Sequence, residues 1–253
     1  MLTLVENFTG TYKDDPLRNL HFQDYKELAK DCELWLSTTP VPTLEKGETP
    51  RYYFASEEQL FLGHPHTAEI PGFDKIFTIL PTKISGREGR KYVFWPTSPR
   101  CLSMTERTYE KTRPVVYYGY ASEGFLRECH SVAAYYGGIG KGDYIEKLNT
   151  FQASQIAICH NSLHSDFGPQ LKTRCFEAAF GKSLMLVKKD KYNLVEDWFT
   201  ENEDFLYFEE GNLHSSIKHC LEHYNKYESM IESAYTKAMN NYTTKHFVER
   251  YLT

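Results

Sequence analysis

Leu171-Lys172-Thr173-Arg174-Cys175-Phe176-Glu177-Ala178-Ala179-Phe180-Gly181 runs directly into Lys182-Ser183-Leu184-Met185-Leu186-Val187. Phe176, Ala179 and Phe180 recur at helical spacing, so 171–180 reads as a helix with a packed stripe, Lys172, Arg174 and Glu177 pointing elsewhere. Gly181 is placed to close it as a C-cap, and Ser183–Val187 reads as a buried strand. Upstream come Pro114–Tyr120 as a strand, a helix over 123–130 that Ser122 caps, and Val132–Tyr136 as a second strand. A helix over 143–153 and the strand Gln155–Cys159 follow. Downstream, Phe205–Phe208 is a strand and the remaining tail is helical. Strand–helix alternation of this kind predicts a parallel sheet with helices on its faces. Ligands bind such sheets at the carboxyl ends of the strands, near the point where strand order reverses.

Before this block the apolar runs are shorter and wider apart. Residues 22–31 read as a helix, and Glu33–Ser37, Arg51–Ala55, Asp74–Leu80 and Lys91–Trp95 as strands bounded by turn signals. A polar stretch, Ser103 to Thr112, lies between Pro99 and Pro114 and marks the joint, giving domains 1–108 and 109–253. With 253 residues the chain buries a core large enough to need neither disulfide nor structural metal. A net charge of −5 excludes a generally basic nucleic-acid binder while leaving room for a local cationic pocket. The start, MLTLVENFTG, lacks the features of a signal peptide, and no apolar run is long enough for a transmembrane segment. The six cysteines form no CxxC pair and read as buried free thiols, so a cytoplasmic location is expected.

Four pieces converge on the expected carboxyl edge. Tyr118-Gly119-Tyr120-Ala121-Ser122 leads from a strand through a glycine into a helix N-terminus, where backbone N–H groups face an anion. The glycine-rich loop 137–142 contains Lys141 but matches neither a Walker nor a dinucleotide fingerprint, so a plain surface loop is an equal reading. The window 170–191 holds six cations (Lys172, Arg174, Lys182, Lys188, Lys189, Lys191) against Glu177 and Asp190. That excess suits an anionic ligand, with Arg174 as a planar fork for phosphate and Glu177 able to accept two hydrogen bonds from a diol. A solvated helix face beside a lysine-rich loop is the plainer alternative. Phe208-Glu209-Glu210-Gly211 is the fourth strand end and says little alone.

Together SQIAICHNSL, LKTRCFEAAFGKSLMLV, FLYFEEGN and the tail AYTKAMNNYTTKHFVERYL resemble the donor-domain half of GT-B glycosyltransferases. They look closest to the group 1, spore-maturation (CgeB-like) type. Asn161, Arg174, Phe176, Glu177 and Gly181 match that pattern residue by residue, over roughly residues 114–252. The resemblance implies an α/β fold of two Rossmann-like parallel-sheet domains facing a cleft, the N-terminal one reduced. It implies a nucleotide-sugar, UDP- or GDP-linked, bound mainly by the C-terminal domain, with Glu177 on the ribose hydroxyls. Arg174 or Lys172 and the Gly119 turn would neutralise the diphosphate without a bound metal, so no cofactor is expected. Tyr120, Ser122, Lys141, Asn161 and Thr173 complete the expected donor site. Pro169 stands where related retaining enzymes carry a second glutamate, with Asp166 nearby. That leaves the stereochemical outcome open.

Transfer to a glycan or other hydroxyl acceptor needs a base. His64 and His66, in a loop after a strand, are the first candidates, Glu57 and Glu58 the next, and Asp74 a further one that would also serve as a strand-start cap. His219-Cys220-Leu221-Glu222-His223 fits an inverted zinc-protease signature. Its histidines, however, fall opposite the stripe of Ile217, Leu221 and Tyr224, so no metal is assigned there. For His160, His164 and Asp166, substrate contact is the better reading than zinc. A second overall reading is a catalytically silent nucleotide- or glycan-binding module on the same fold.

Overall fold

The computed structural model describes residues 3–7, 24–25, 27, 32–37, 45, 47–55, 72–86, 88–119, 123–131, 134–136, 144–161 and 169–252. Among these, ten strands form two five-stranded sheets with every neighbouring pair parallel. The first comprises β1 (Thr3–Asn7), β2 (Glu33–Ser37), β3 (Arg51–Ala55), β4 (Lys75–Thr78) and β5 (Arg90–Tyr92), side by side in chain order. The second comprises β6 (Arg113–Tyr118), β7 (Ala134–Tyr136), β8 (Ser154–Cys159), β9 (Leu184–Lys188) and β10 (Phe205–Phe208), in the order β7-β6-β8-β9-β10. This is a doubly wound order whose reversal lies between β6 and β8.

The second sheet is sandwiched, which is why β8 and β9 are apolar almost throughout. Its helices are α3 (Glu123–His130), α4 (Tyr144–Gln152), α5 (Thr173–Phe180), α6 (Leu213–Glu222) and α7 (Glu228–Asn241), after the short α1 (Thr82–Ser85) and α2 (Pro99–Met104). Val115, Tyr117, Ile156 and Ile158 face Phe125 of α3 and Leu213 and Ile217 of α6. Val116, Ala157 and Cys159 face Leu148 and Phe151 of α4 and Phe176 and Ala179 of α5. Met230 and Ile231 of α7 join the first cluster, Ala234 and Ala238 the second.

The structure decides against the plainer alternative for α5 and refines the role of its cap. Arg174 and Glu177 are not on a solvated face: every residue from Arg174 to Phe180 is buried, because β8, β9, α4 and α7 surround the helix. Gly181 is the C-cap, as expected, its N–H donating to the Glu177 carbonyl, and a glycine stands there for room rather than for a left-handed turn. Its φ is −80°, and a Cβ there would stand 2.7 Å from Phe151 Cβ of α4. The left-handed residue is Lys182, at φ 51°.

The last helix, α8 (Thr244–Tyr251), leaves the second sheet and packs on the first. Phe247 meets the rings of Tyr25, Phe54, Phe77 and Phe94 at centroid distances of 5.8, 5.7, 5.4 and 6.0 Å. Phe94, just after β5, also touches Phe176, Trp198 and Tyr242, so one apolar core runs through both sheets. Trp95 Nε1 donates to the Leu171 carbonyl at 3.2 Å, which brings the carboxyl edge of β5 against the start of α5. The segment after β5 in the first sheet thereby meets the segment that opens α5 in the second.

Candidate functional site

At the β6/β8 reversal, Arg174 in the first turn of α5 reaches over the sheet edge. Its Nη1 donates to Tyr117 Oη and to the His160 carbonyl, both at 2.8 Å. Gly119 makes this possible. Its φ is 127°, and a Cβ would lie 2.3 Å from Arg174 Nη2, so only glycine fits the turn. Arg174 is 6% exposed and fills the notch that the topology leaves.

Next to it, Asn161 ties three segments together. Its carbonyl accepts from Gln170 N at 2.7 Å, its Oδ1 from Lys172 N at 3.4 Å, and its Nδ2 donates to Asp190 Oδ2 at 3.4 Å. Asp190 also accepts from Tyr192 N at 2.9 Å, shaping the turn after β9. A cavity of 170 Å³ opens here, lined by His160, Asn161, Pro169 and the run Lys188, Lys189, Asp190, Lys191. His160 is 7% exposed, stacks on Phe125 at 4.5 Å, and has a buried Nδ1 with no hydrogen-bond partner among the described residues. Burial first, then Arg174, Lys188 and Lys172, push its pKa down to about 3, so the imidazole is neutral near pH 7. Lys188 lies 5.3 Å over the same Phe125 ring and 3.8 Å from the exposed Glu210 carboxylate. Lys189 lies 3.9 Å from the exposed Glu209 carboxylate, so the lysine wall is only partly compensated, from its solvent side, and beside a neutral imidazole it suits an anionic oxygen-rich ligand.

Gly119, Asn161, Lys172 and Arg174 thus lie together at one edge of the second sheet. Thr173 and Glu177 lie on a neighbouring face of α5. Glu177 is 1% exposed and outside the cavity lining. Its Oε2 pairs with Lys147 Nζ at 2.6 Å and accepts from Thr173 Oγ1 at 3.2 Å, while Oε1 is buried without a partner among the described residues. Lys147, one turn into α4, also lies 5.2 Å over the Tyr118 ring. Sequence reasoning missed Lys147. The only signal was its place one turn after the glycine-rich loop.

Tyr120, Ser122, Lys141, His64, His66, Glu57, Glu58, His164 and Asp166 lie outside the described residues. Asp74 is corrected as a base candidate: it precedes β4 and accepts from Arg51 N at 2.9 Å, at the amino edge of the sheet rather than at its carboxyl edge. His219 and His223 meet edge to face at 4.7 Å, but α6 ends at Glu222 and leaves His223 as its cap. Among the described residues no three His, Cys, Asp or Glu side chains are grouped to hold a metal, and no helix is long and apolar enough to cross a membrane.

Two parallel-sheet domains whose carboxyl edges meet, with the last helix returning to the first sheet, define a GT-B fold. Solved structures agree. The chain superposes on AviGT4, a glycosyltransferase of avilamycin A biosynthesis, with TM-score 0.63 at 10% identity, covering 99% of this chain and 95% of that one. For Anabaena HepE in complex with UDP and glucose the values are 0.58 and 12%, covering 98% and 97%. For a TarM variant of S. aureus in complex with UDP they are 0.54 and 10%, with 92% of this chain spanning 58% of that one. At these identities the likeness concerns the fold alone. No curated protein matches the chain by sequence. The family model described as glycosyl transferase-like matches residues 106–253, more than half of the chain. The chain belongs to that glycosyltransferase family.

Proposed function

We propose that the chain transfers a sugar from a nucleoside diphosphate, UDP or GDP, to a hydroxyl of a glycan or other acceptor, without a bound metal. The observation that carries this reading is the cationic cavity at the carboxyl ends of β8 and β9, adjoining the Arg174–Gly119 notch. The UDP in the HepE and TarM structures adds support. In the reaction a base removes the acceptor proton, and the acceptor oxygen bonds to the anomeric carbon. The bond from that carbon to the diphosphate breaks, and the diphosphate leaves with the electron pair. Cations and helix N–H groups already in place stabilise the leaving charge without reorganising.

Lys172, Arg174 and Lys188, with the turn Gly119–Ser122 and Lys141, are assigned to the diphosphate. His64, His66, Glu57 or Glu58 is assigned as base. Glu177 is assigned to the ribose diol, which requires the donor to displace Lys147 from its carboxylate. Within the family, Asn161, Arg174, Phe176, Glu177 and Gly181 favour the spore-maturation (CgeB-like) type. The six buried free cysteines suit the cytoplasm.

The sealed Lys147–Glu177 pair favours one second reading, a silent binding module. Calorimetry with UDP and GDP, followed by hydrolysis assays on their sugars, separates the two. Binding with turnover is expected. Binding without turnover on any donor selects the module, and no binding of either nucleotide removes the donor-site assignment.

A further inference from the structure

The feature of the cavity that its cations leave unexplained is His160. A surface histidine would hydrate both ring nitrogens, yet Nδ1 here is buried with no partner among the described residues. An orphan of this kind in a folded protein marks a place for a water, ion or ligand group, or a catalytic atom. The ring is held from several sides. Its plane stacks within 19° of Phe125, its carbonyl accepts from Arg174 Nη1, and the following residue, Asn161, is tied to Lys172 and Asp190.

The charges around it come from each neighbouring element. Arg174 and Lys172 approach from α5 and its N-cap, and Lys188 from the end of β9. Asp190 shares the cavity wall but accepts from Asn161, Tyr192 and Leu194. From α3 comes the neutral Phe125 ring together with the Cys129 thiol, which burial pushes up to about 12. A positive charge on the ring is therefore opposed by three neighbouring cations.

We infer that His160 is the uncharged hydrogen-bond donor of this cavity, giving Nδ1–H to a phosphate oxygen of a diphosphate while Lys188, Lys172 and Arg174 carry the compensating charge. This rests on the donor-site reading above and adds a division of labour to it. The cations supply long-range attraction, and the neutral imidazole supplies direction without a titration in the working pH range. The depressed pKa agrees, since it keeps the ring neutral through pH 5–8. Anion binding then selects the Nδ1–H tautomer, with Nε2 as the bare nitrogen.

The test measures the affinity of the full chain for UDP, inorganic pyrophosphate and uridine at pH 7. It uses wild type, His160→Leu and His160→Asn, because asparagine places an N–H near the position of Nδ1. A hydrogen bond to a charged oxygen predicts that His160→Leu weakens UDP and pyrophosphate about tenfold to a hundredfold and leaves uridine unchanged. His160→Asn should restore most of that loss, and it keeps the test informative if the leucine variant does not fold. ¹⁵N NMR of the pyrophosphate complex should show a neutral, Nδ1-protonated ring from pH 5 to 8. An imidazolium in the complex, or unchanged pyrophosphate affinity in both variants, overturns the inference alone. Failure of the wild-type chain to bind UDP, GDP or pyrophosphate overturns both it and the donor-site reading.

Discussion

The first sheet lays its strands down in chain order, whereas the second breaks that order once, between β6 and β8. Right-handed crossovers that all advance in one direction place their connections on one face of a sheet, while a change of direction places them on both. Among the described residues the second sheet shows this rule. In the first sheet, Tyr25 from the β1–β2 connection meets Leu34, Phe54 and Phe77 on one face, and Trp35, Tyr53, Phe73 and Ile76 form a small cluster on the other. In the second, helices cover both faces, and the gap between diverging connections holds Arg174, with the cavity beside it. A one-way sheet offers no crevice of its own and borrows a helix from the far end of the chain for its core. A two-way sheet builds its own core and a binding edge together.

The largest effect is expected where the first sheet borrows. Phe247 is fully buried among four rings of that sheet's cluster, so Phe247→Ala should cost about 3–5 kcal/mol. Hydrogen exchange should show amides of β2, β3 and β4 losing protection while those of β8 and β9 keep theirs. Equal loss in both would break the comparison, because the shared core through Phe94 would then make them one cooperative unit.

Glu177 tests what the second sheet's edge holds for itself and what it holds for a ligand. Removing the carboxylate leaves the Lys147 ammonium without its ion-pair partner. Lys147 keeps 18% exposure, so the cost of Glu177→Gln should fall below that of a fully buried pair, at about 2 kcal/mol. If the carboxylate also takes the ribose diol, UDP affinity should drop by about 1–3 kcal/mol, as for losing hydrogen bonds to a charged group. Adding Lys147→Met separates the roles. Stability measured by urea should recover in the double variant and affinity should not. Recovery of both, or no loss of affinity at all, assigns Glu177 to packing.

How much of this could be read beforehand divides along the same line. β8 and β9 are continuous apolar runs because both faces are covered, and they stood out as strands. β1 did not: Thr3–Asn7 carries no such run and ends in Glu6 and Asn7. Lys91–Trp95 was readable as apolar but was assigned wholly to the sheet, whereas β5 stops at Tyr92 and Val93, Phe94 and Trp95 belong to the seam between sheets. The helical period of the tail was readable, but its partner, about 170 residues earlier, is a matter of tertiary contact. The same holds for the site. Asn161, Arg174 and Gly119 carried local signals, while Lys147 gains its meaning only when α4 packs on α5.

The last effect sits in the connection between the two sheets and shows only as the pH changes. Lys111 donates its Nζ to the carbonyls of Gln152 and Gly181, at 2.8 and 3.1 Å, closing the ends of α4 and α5. Burial first, then the nearby Lys182, lower its pKa to about 7. An unfolded lysine titrates near ~10.4, so between these values the unfolded chain holds a proton that the folded chain lacks. Stability contributed by this group therefore rises with pH from about 7 upward and is lowest below 7, where the buried ammonium must be charged. Urea midpoints followed from pH 6 to 9 should rise in wild type relative to Lys111→Met, which has nothing to titrate. Parallel curves would mean that the two carbonyls hold the ammonium charged throughout, and the connection would then be an ordinary cationic cap on the second sheet's helices.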